Sequence, residues 1–259
     1  MPHRSEPNAP GNLWRDPDFR HYALAQGISV TGGGVTTIAL SVLAVVELHA
    51  STFNVALIAF ASKLPALLLS LHAGVLADRR RKRPVIITCD LLCAAVLLTL
   101  PAAQLLARIT LIQLYAVAFT VAALQVIGSN ASISYLPSLL GPDRIKDGNS
   151  KMGAGNSLAD LIGNNSGGAL VTALGAARAV TVDAASYLAS SLLLWRIKHR
   201  EDPPPARTAD TSHWTEIREG LTYTLCTPVV RSIVLANTAT SFVLAASSAL
   251  WSLYLLVPA

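Results

Sequence analysis

The stretch "GVLADRRRKRP", Gly74 to Pro84, sets five consecutive basic residues, Arg79 to Arg83, directly after an apolar run and a single aspartate. In a water-soluble chain such a cluster reads as a nuclear-import or nucleic-acid patch. Its flanks argue against that. On each side lies an apolar segment of the length needed to cross a bilayer, about 20 residues. The charge block therefore reads as a short polar loop between two membrane helices.

Composition points the same way. Of the 259 residues, 52% are hydrophobic and only 14% are charged, against roughly a quarter charged in an ordinary soluble domain. The net charge is +5, yet aromatics make up only 6%. No face interleaves basic with aromatic side chains as a nucleic-acid surface does. Nucleic acid is not expected as a partner, and the lipid bilayer is. The first 20 residues are polar, with Pro2, Pro7, Pro10 and Pro17. They lack the short apolar core and cleavage site of a secretory signal, and residues 1–20 read as a cytosolic tail.

Working outward, apolar segments recur at 21–47, 53–77, 85–107, 110–134, 148–173, 179–198 and 229–255. The expected fold is an all-α membrane protein with a six-helix bundle over 21–198 and a seventh transmembrane helix within 229–259. The fifth segment, with "GAGNSLADLIGNNSGGALV", is rich in glycine and polar residues. Small residues let helices approach closely in lipid, which suits a packed or cavity-lining helix; a re-entrant loop is the rival reading. Residues 199–228 form a polar connector. After Pro203–Pro205, which end any helix, Trp214, Ile217, Leu221 and Leu225 lie opposite Glu216, Arg218 and Glu219. That spacing predicts a short amphipathic helix lying on the cytosolic surface, within a cytosolic connector.

Orientation follows from the basic residues. With the N-terminus in the cytosol, Arg108 and Arg178 alone of the 20 lysines and arginines fall in loops on the far side, and Lys63 lies within a span. The positive-inside rule favours that placement. It also accounts for the basic excess without nucleic acid, and predicts a multi-pass protein of the cytoplasmic membrane.

Catalytic signatures are absent: there is no G-x-S-x-G, H-E-x-x-H or phosphate-cradling glycine loop with its lysine. No enzyme, cofactor or metal site is expected. Cys89 and Cys93, four apart in an apolar segment, and the solitary Cys226 lack ligand partners at zinc-type spacing and read as small hydrophobes. "TGGGVTT" at Thr31 reads as a close-packing or flexible patch in the first span.

Charges within the hydrocarbon region are costly, which makes them functional candidates. Lys63 falls near the middle of the second segment and Asp160 near the middle of the fifth. Asn156, Asp160 and Asn164 recur every four residues and give one helix a polar stripe. The functional expectation is that this stripe faces an aqueous path and that Asp160 titrates or balances Lys63. A structural ion pair is the other reading. Gln125 and Asn130 in the fourth segment could line the same path or bond a neighbouring helix. His72, Asp90 and Asp183 are expected near span ends, with snorkelling or interfacial roles.

The loop "GVLADRRRKR" resembles the one between the second and third helices of major facilitator superfamily transporters. Gly74, Asp78, Arg79, Lys82 and Arg83 occupy the motif positions, with Arg81 where the commonest version has glycine. "ISVTGGGVTTIALSVLAV", "SYLPSLLGPDRIKDGNSKM" and "AVTVDAASYLASSLLL" are similar to the first helix, the helix four–five junction and the sixth helix of the branch resembling siderophore and drug exporters. "LIGNNSGGALV" is similar to the family's glycine-proline segment, with Asn164 where proline is usual.

The resemblance implies a secondary active transporter, with proton-coupled efflux of small organic molecules (drug- or siderophore-like) by alternating access. It implies that Gly74, Asp78, Arg79, Lys82 and Arg83 act as a conformational latch. Such transporters rock two six-helix halves about a midplane site. This chain supplies one half, a connector and one further helix, so it is expected to be C-terminally incomplete. The alternative expectation is a truncated, non-transporting remnant or half-transporter with a structural or interaction role in the membrane.

Overall fold

Asp16 starts the first long helix. Its carboxylate accepts the backbone N–H groups of Asp18 at 3.0 Å and Phe19 at 3.4 Å, and Pro17 occupies the first helical position. This satisfies donors that a helix start leaves orphaned and uses a residue whose missing N–H costs nothing there. The computed structural model describes residues 12–106, 108–199, 201 and 222–256, and side chains except those of 70–79, 242 and 244–256.

Within them lie α1 (Pro17–Val42, continued by a π turn at Leu43–Glu47), α2 (Thr52–Arg79), α3 (Lys82–Leu105), α4 (Leu111–Leu140), α5 (Ile145–Leu174), α6 (Ala176–Arg196) and α7 (Pro228–Leu256). No strand occurs among the described residues. Ser51 and Thr110 cap α2 and α4 through Oγ···H–N contacts to Asn54 and Gln113. Gly141 and Gly175 end α4 and α5 at φ of +72° and +83°, a backbone region that costs a residue with a Cβ.

By length and composition, Pro17–Glu47, Thr52–Leu69, Lys82–Leu105 and Leu111–Leu140 can each cross a membrane. They also point large apolar side chains outward: Leu67 is 79% exposed and Ile112 78%. Water would penalise that surface, whereas lipid tails solvate it. The protein is an all-α membrane protein. The fifth segment is one unbroken 30-residue helix, so the re-entrant loop is overturned: its backbone bonds stay internal despite the polar side chains.

The chain divides into two units, Met1–Ala206 and Arg207–Ala259. Helices α1 to α6 belong to the first and α7 to the second. In the first unit, α2 packs on α4, α4 on α3, α3 on α6, α6 on α1 and α1 on α5. Lipid tails are as apolar as leucine, so these contacts rest on close packing rather than on the hydrophobic effect. Glycines set the α1–α5 approach. A Cβ on Gly34 would stand 2.7 Å from the Gly163 carbonyl carbon, and one on Gly163 only 2.5 Å from the Thr31 carbonyl oxygen. At Gly32, a Cβ would strike Ser186 and Asp183 of α6. The "TGGGVTT" patch is therefore a close-packing surface on two sides.

Two apolar cores result. One joins Val35, Leu43, Leu97, Leu114 and Val180; the other joins Phe19, Tyr22, Ile86, Tyr135 and Leu194 near the α1 start. In the second, the Tyr22 hydroxyl lies 2.9 Å from the Ser132 carbonyl oxygen and 2.5 Å from its Oγ, which ties α1 to α4. The amphipathic helix expected around Trp214, Ile217 and Leu221 lies outside the described residues.

Candidate functional site

A cavity of about 530 Å³ opens between helices α1 to α6 of the first unit. Its position follows from the small residues of α1: Gly33, Gly34 and Thr37 line the cavity, Gly34 also packing on α5, while Gly32 is spent on contact with α6. Polar groups from several helices converge on it. Lys63 comes from α2, Asp90 from α3, Gln125 from α4, Asp160 and Asn164 from α5, and Tyr187 from α6. Lys63, Asp160, Asn164 and Gln125 thus share one space. Lys63 and Asp160 form no ion pair with each other in the described structure.

Gln125 also bonds across helices: its Nε2 donates to the Tyr187 hydroxyl at 2.6 Å. The α5 stripe divides. Asp160 and Asn164 line this cavity, whereas Asn156 lines a separate, mainly apolar groove of about 410 Å³ between α1, α5 and α6. Asn130 turns back on its own helix, its Nδ2 donating to the Val126 carbonyl at 2.7 Å.

Asp90 and Asp183 depart from the interfacial role expected of them. Both are buried, Asp90 at 8% exposure and Asp183 at 0%. Ser190 Oγ donates to Asp90 Oδ2 at 2.7 Å. Thr36 of α1 and Ser186 of α6 both donate to the Asp183 carboxylate, the latter at 3.0 Å. Neither carboxylate snorkels: two hydroxyl donors stand in for water at Asp183, and one does so at Asp90. The side chain of His72 lies outside the described residues.

The basic block sits at one end of the bundle. The side chains of Gly74, Asp78 and Arg79 are outside the described residues; those of Lys82 and Arg83 begin α3. Arg83 Nε donates to the Leu194 carbonyl at 2.8 Å and its Nη2 to the Trp195 carbonyl at 2.5 Å. These are among the last carbonyls of α6, which carry the negative end of the dipole; that of Leu194 also accepts the Ile197 N–H at 3.3 Å. The α3 start is met in turn by Glu201, whose two carboxylate oxygens accept the N–H groups of Lys82 and Arg83, each at 2.6 Å. Arg81, the N-cap residue, makes no side-chain cap bond, so an acid from beyond α6 does that work. Asp18 similarly accepts the N–H groups of Lys198 at 3.0 Å and His199 at 2.9 Å. A short clasp thus joins the ends of α1, α3 and α6.

Sequence reasoning gave no role to Glu201, Asp18 or Ser190. Glu201 stands in "EDPPP", which reads only as a helix-breaking connector, and its partners lie 118 and 119 residues away. Ser190 is one of many small hydroxyls in an apolar helix, and no local spacing ties it to Asp90.

The comparisons with known proteins agree with this architecture. The family model described as transmembrane secretion effector matches residues 9–258. The multidrug efflux pump Tap of Mycolicibacterium fortuitum is 26% identical over 212 residues, which are 80% of this chain and 52% of that protein. The chain spans about half the length of this curated relative. No solved structure matches. With a family model aligned along almost the whole chain, over a helical bundle with an apolar exterior and a polar-lined cavity, the protein belongs to the transmembrane secretion effector family of the major facilitator superfamily.

Proposed function

We propose that the protein is the six-helix N-terminal half of a secondary active transporter together with a seventh transmembrane helix, α7. It contributes to proton-coupled efflux of small organic molecules by alternating access. The observation that carries this reading is the cavity of about 530 Å³ on which Lys63, Gln125, Asp160 and Asn164 converge from three helices. Its volume falls within the roughly 300–1,000 Å³ of small-molecule sites, and charged groups within a membrane bundle mark transport paths and proton relays. The name of the Tap relative supports efflux as the direction.

In this reading Lys63 and Asp160 serve proton coupling, with Gln125 and Asn164 on the transport path. Asn156 and Asn130 play lesser parts, the former from the neighbouring groove. Gly74, Asp78, Arg79, Lys82 and Arg83 form the conformational latch. The Arg83 and Glu201 bonds to the ends of α6 and α3 support a role for this loop in holding that end of the bundle. The distribution of lysine and arginine supports a cytosolic N-terminus in the cytoplasmic membrane.

The test is dye efflux from liposomes carrying the purified chain, driven by an imposed pH gradient. Gradient-dependent efflux that falls at least tenfold in both Asp160→Asn and Lys63→Ala is the expected result. Efflux unaffected by either substitution removes the coupling role. No efflux from correctly folded protein favours a non-transporting half that acts in the membrane through a partner.

A further inference from the structure

One wall of the cavity carries a charge that the transport reading does not yet use. Asp90, nine residues into α3, is 8% exposed and lines the cavity. Its Oδ2 accepts the Ser190 hydroxyl, and its Oδ1 has no hydrogen-bond partner among the described residues. The other charged groups lining the cavity are Lys63 of α2 and Asp160 of α5. Those two are opposite in sign, which leaves Asp90 as the unmatched negative charge. Ile86, Cys89, Cys93, Ala122 and Tyr187, mostly apolar side chains, line the same cavity.

A carboxylate withdrawn from water and held by one neutral hydroxyl is poorly compensated, and the natural complement is a cation. A hard divalent ion asks for several oxygen ligands, and no group of three His, Cys, Asp or Glu stands together among the described residues. A protonated amine asks for less: one charge-assisted hydrogen bond to Oδ1, with its organic body against the apolar wall and the Tyr187 ring.

We propose that Asp90 is the anchoring subsite for the protonated amine of a small organic cation bound in this cavity, an inference that rests on the transport reading for why such a molecule enters. Ser190 is the positioning residue, because its hydrogen bond holds Oδ2 and leaves Oδ1 as the acceptor for the ligand.

The experiment measures binding of two fluorescent probes to the purified chain in detergent: a dansylated alkylamine, protonated at pH 7, and its N-acetylated neutral counterpart. The wild-type chain should bind the amine about tenfold more tightly than the amide, the scale of one charge-assisted hydrogen bond. Asp90→Asn, which keeps the shape and the Ser190 contact, should abolish that preference while leaving affinity for the neutral probe unchanged. Absence of saturable amine binding, equal binding of the two probes by wild type, a preference that survives Asp90→Asn, or loss of both probes in that variant overturns the proposal. The assay needs no gradient, so a chain that binds but fails to transport defeats only the transport reading. One that transports without amine preference defeats only the subsite.

Discussion

Thr36 of α1 donates its hydroxyl to the carboxylate of Asp183, which is fully buried in α6. Ser186 donates to the same group from one helical turn away, and Gly32 leaves the room for it. The pair fixes the rotation of α1 against α6, and so decides that Gly33 and Thr37 face the cavity. Asp183→Ala strands the Thr36 hydroxyl in an apolar interface, at a cost of about 1–3 kcal/mol, while Ser186 keeps its bond to the residue-183 carbonyl at 2.8 Å. Asp183→Asn keeps an acceptor and should cost less. Thermal unfolding in detergent, followed by tryptophan fluorescence, should rank wild type above Asp183→Asn and that above Asp183→Ala. Equal midpoints for all three would remove the interface role.

The α1–α5 seam gives a sharper contrast. A Cβ on Gly163 would lie 2.5 Å from the Thr31 carbonyl oxygen and 3.0 Å from its Cα, whereas one on Gly168 would meet nothing within 4 Å. Backbone cannot swing aside as a side chain can, so Gly163→Ala forces the helices apart and should cost about 1–3 kcal/mol or more. Gly168→Ala places a better helix former in open space and should be neutral or stabilising by up to about 1 kcal/mol. The two melting curves should move in opposite directions or one not at all. A Gly163→Ala protein as stable as wild type would mean that the seam is looser than the geometry requires.

What could be read from the sequence divides along a physical line. Apolar runs locate helices because an uncharged apolar stretch has only one low-cost environment; each of the seven segments overlaps a helix among the described residues, and four of these helices are long and apolar enough to cross a membrane. Boundaries shift where caps or tertiary contacts decide them. Helix α1 begins at Pro17 rather than residue 21 because Asp16 caps it, and α4 runs to Leu140 rather than 134 because Tyr135, Leu136 and Leu140 pack into the second core. The site is harder to read. Four-residue spacing advances about 40° around a helix each time, so Asn156, Asp160 and Asn164 fan across roughly 80°, and the first falls on a different opening. Asp90 and Asp183 look like interfacial acids until Ser190 and Thr36, 100 and 147 residues away, are seen to hold them.

Glu201 makes a prediction that local exchange can read. Its carboxylate takes the first two N–H groups of α3, where the helix dipole favours negative charge. Glu201→Gln keeps one good acceptor but loses the charge, which should weaken the cap by about 1 kcal/mol. Amide hydrogen exchange at Lys82 and Arg83 should then speed up by about fivefold, with the middle of α3 unchanged. Arg83→Ala should instead loosen the end of α6, since it strips donors from the Leu194 and Trp195 carbonyls. If exchange rises evenly along α3 in Glu201→Gln, the carboxylate acts on global stability and not as a cap.

The three cysteines should separate by access alone. Cys226 is exposed, while Cys89 and Cys93 are buried at 6% and 1% exposure, the latter with its Sγ 4.0 Å from the Val121 carbonyl oxygen. A maleimide reacts with thiolate that solvent can reach, so Cys226 should label rapidly in folded protein in detergent and Cys93 only after unfolding. Cys89 lines the cavity, so any slow labelling at that position should be suppressed by a molecule occupying the cavity. Mass spectrometry of peptides after timed labelling assigns each site. Prompt modification of Cys93 in the folded state would show that α3 and α4 separate far more readily than their packing implies.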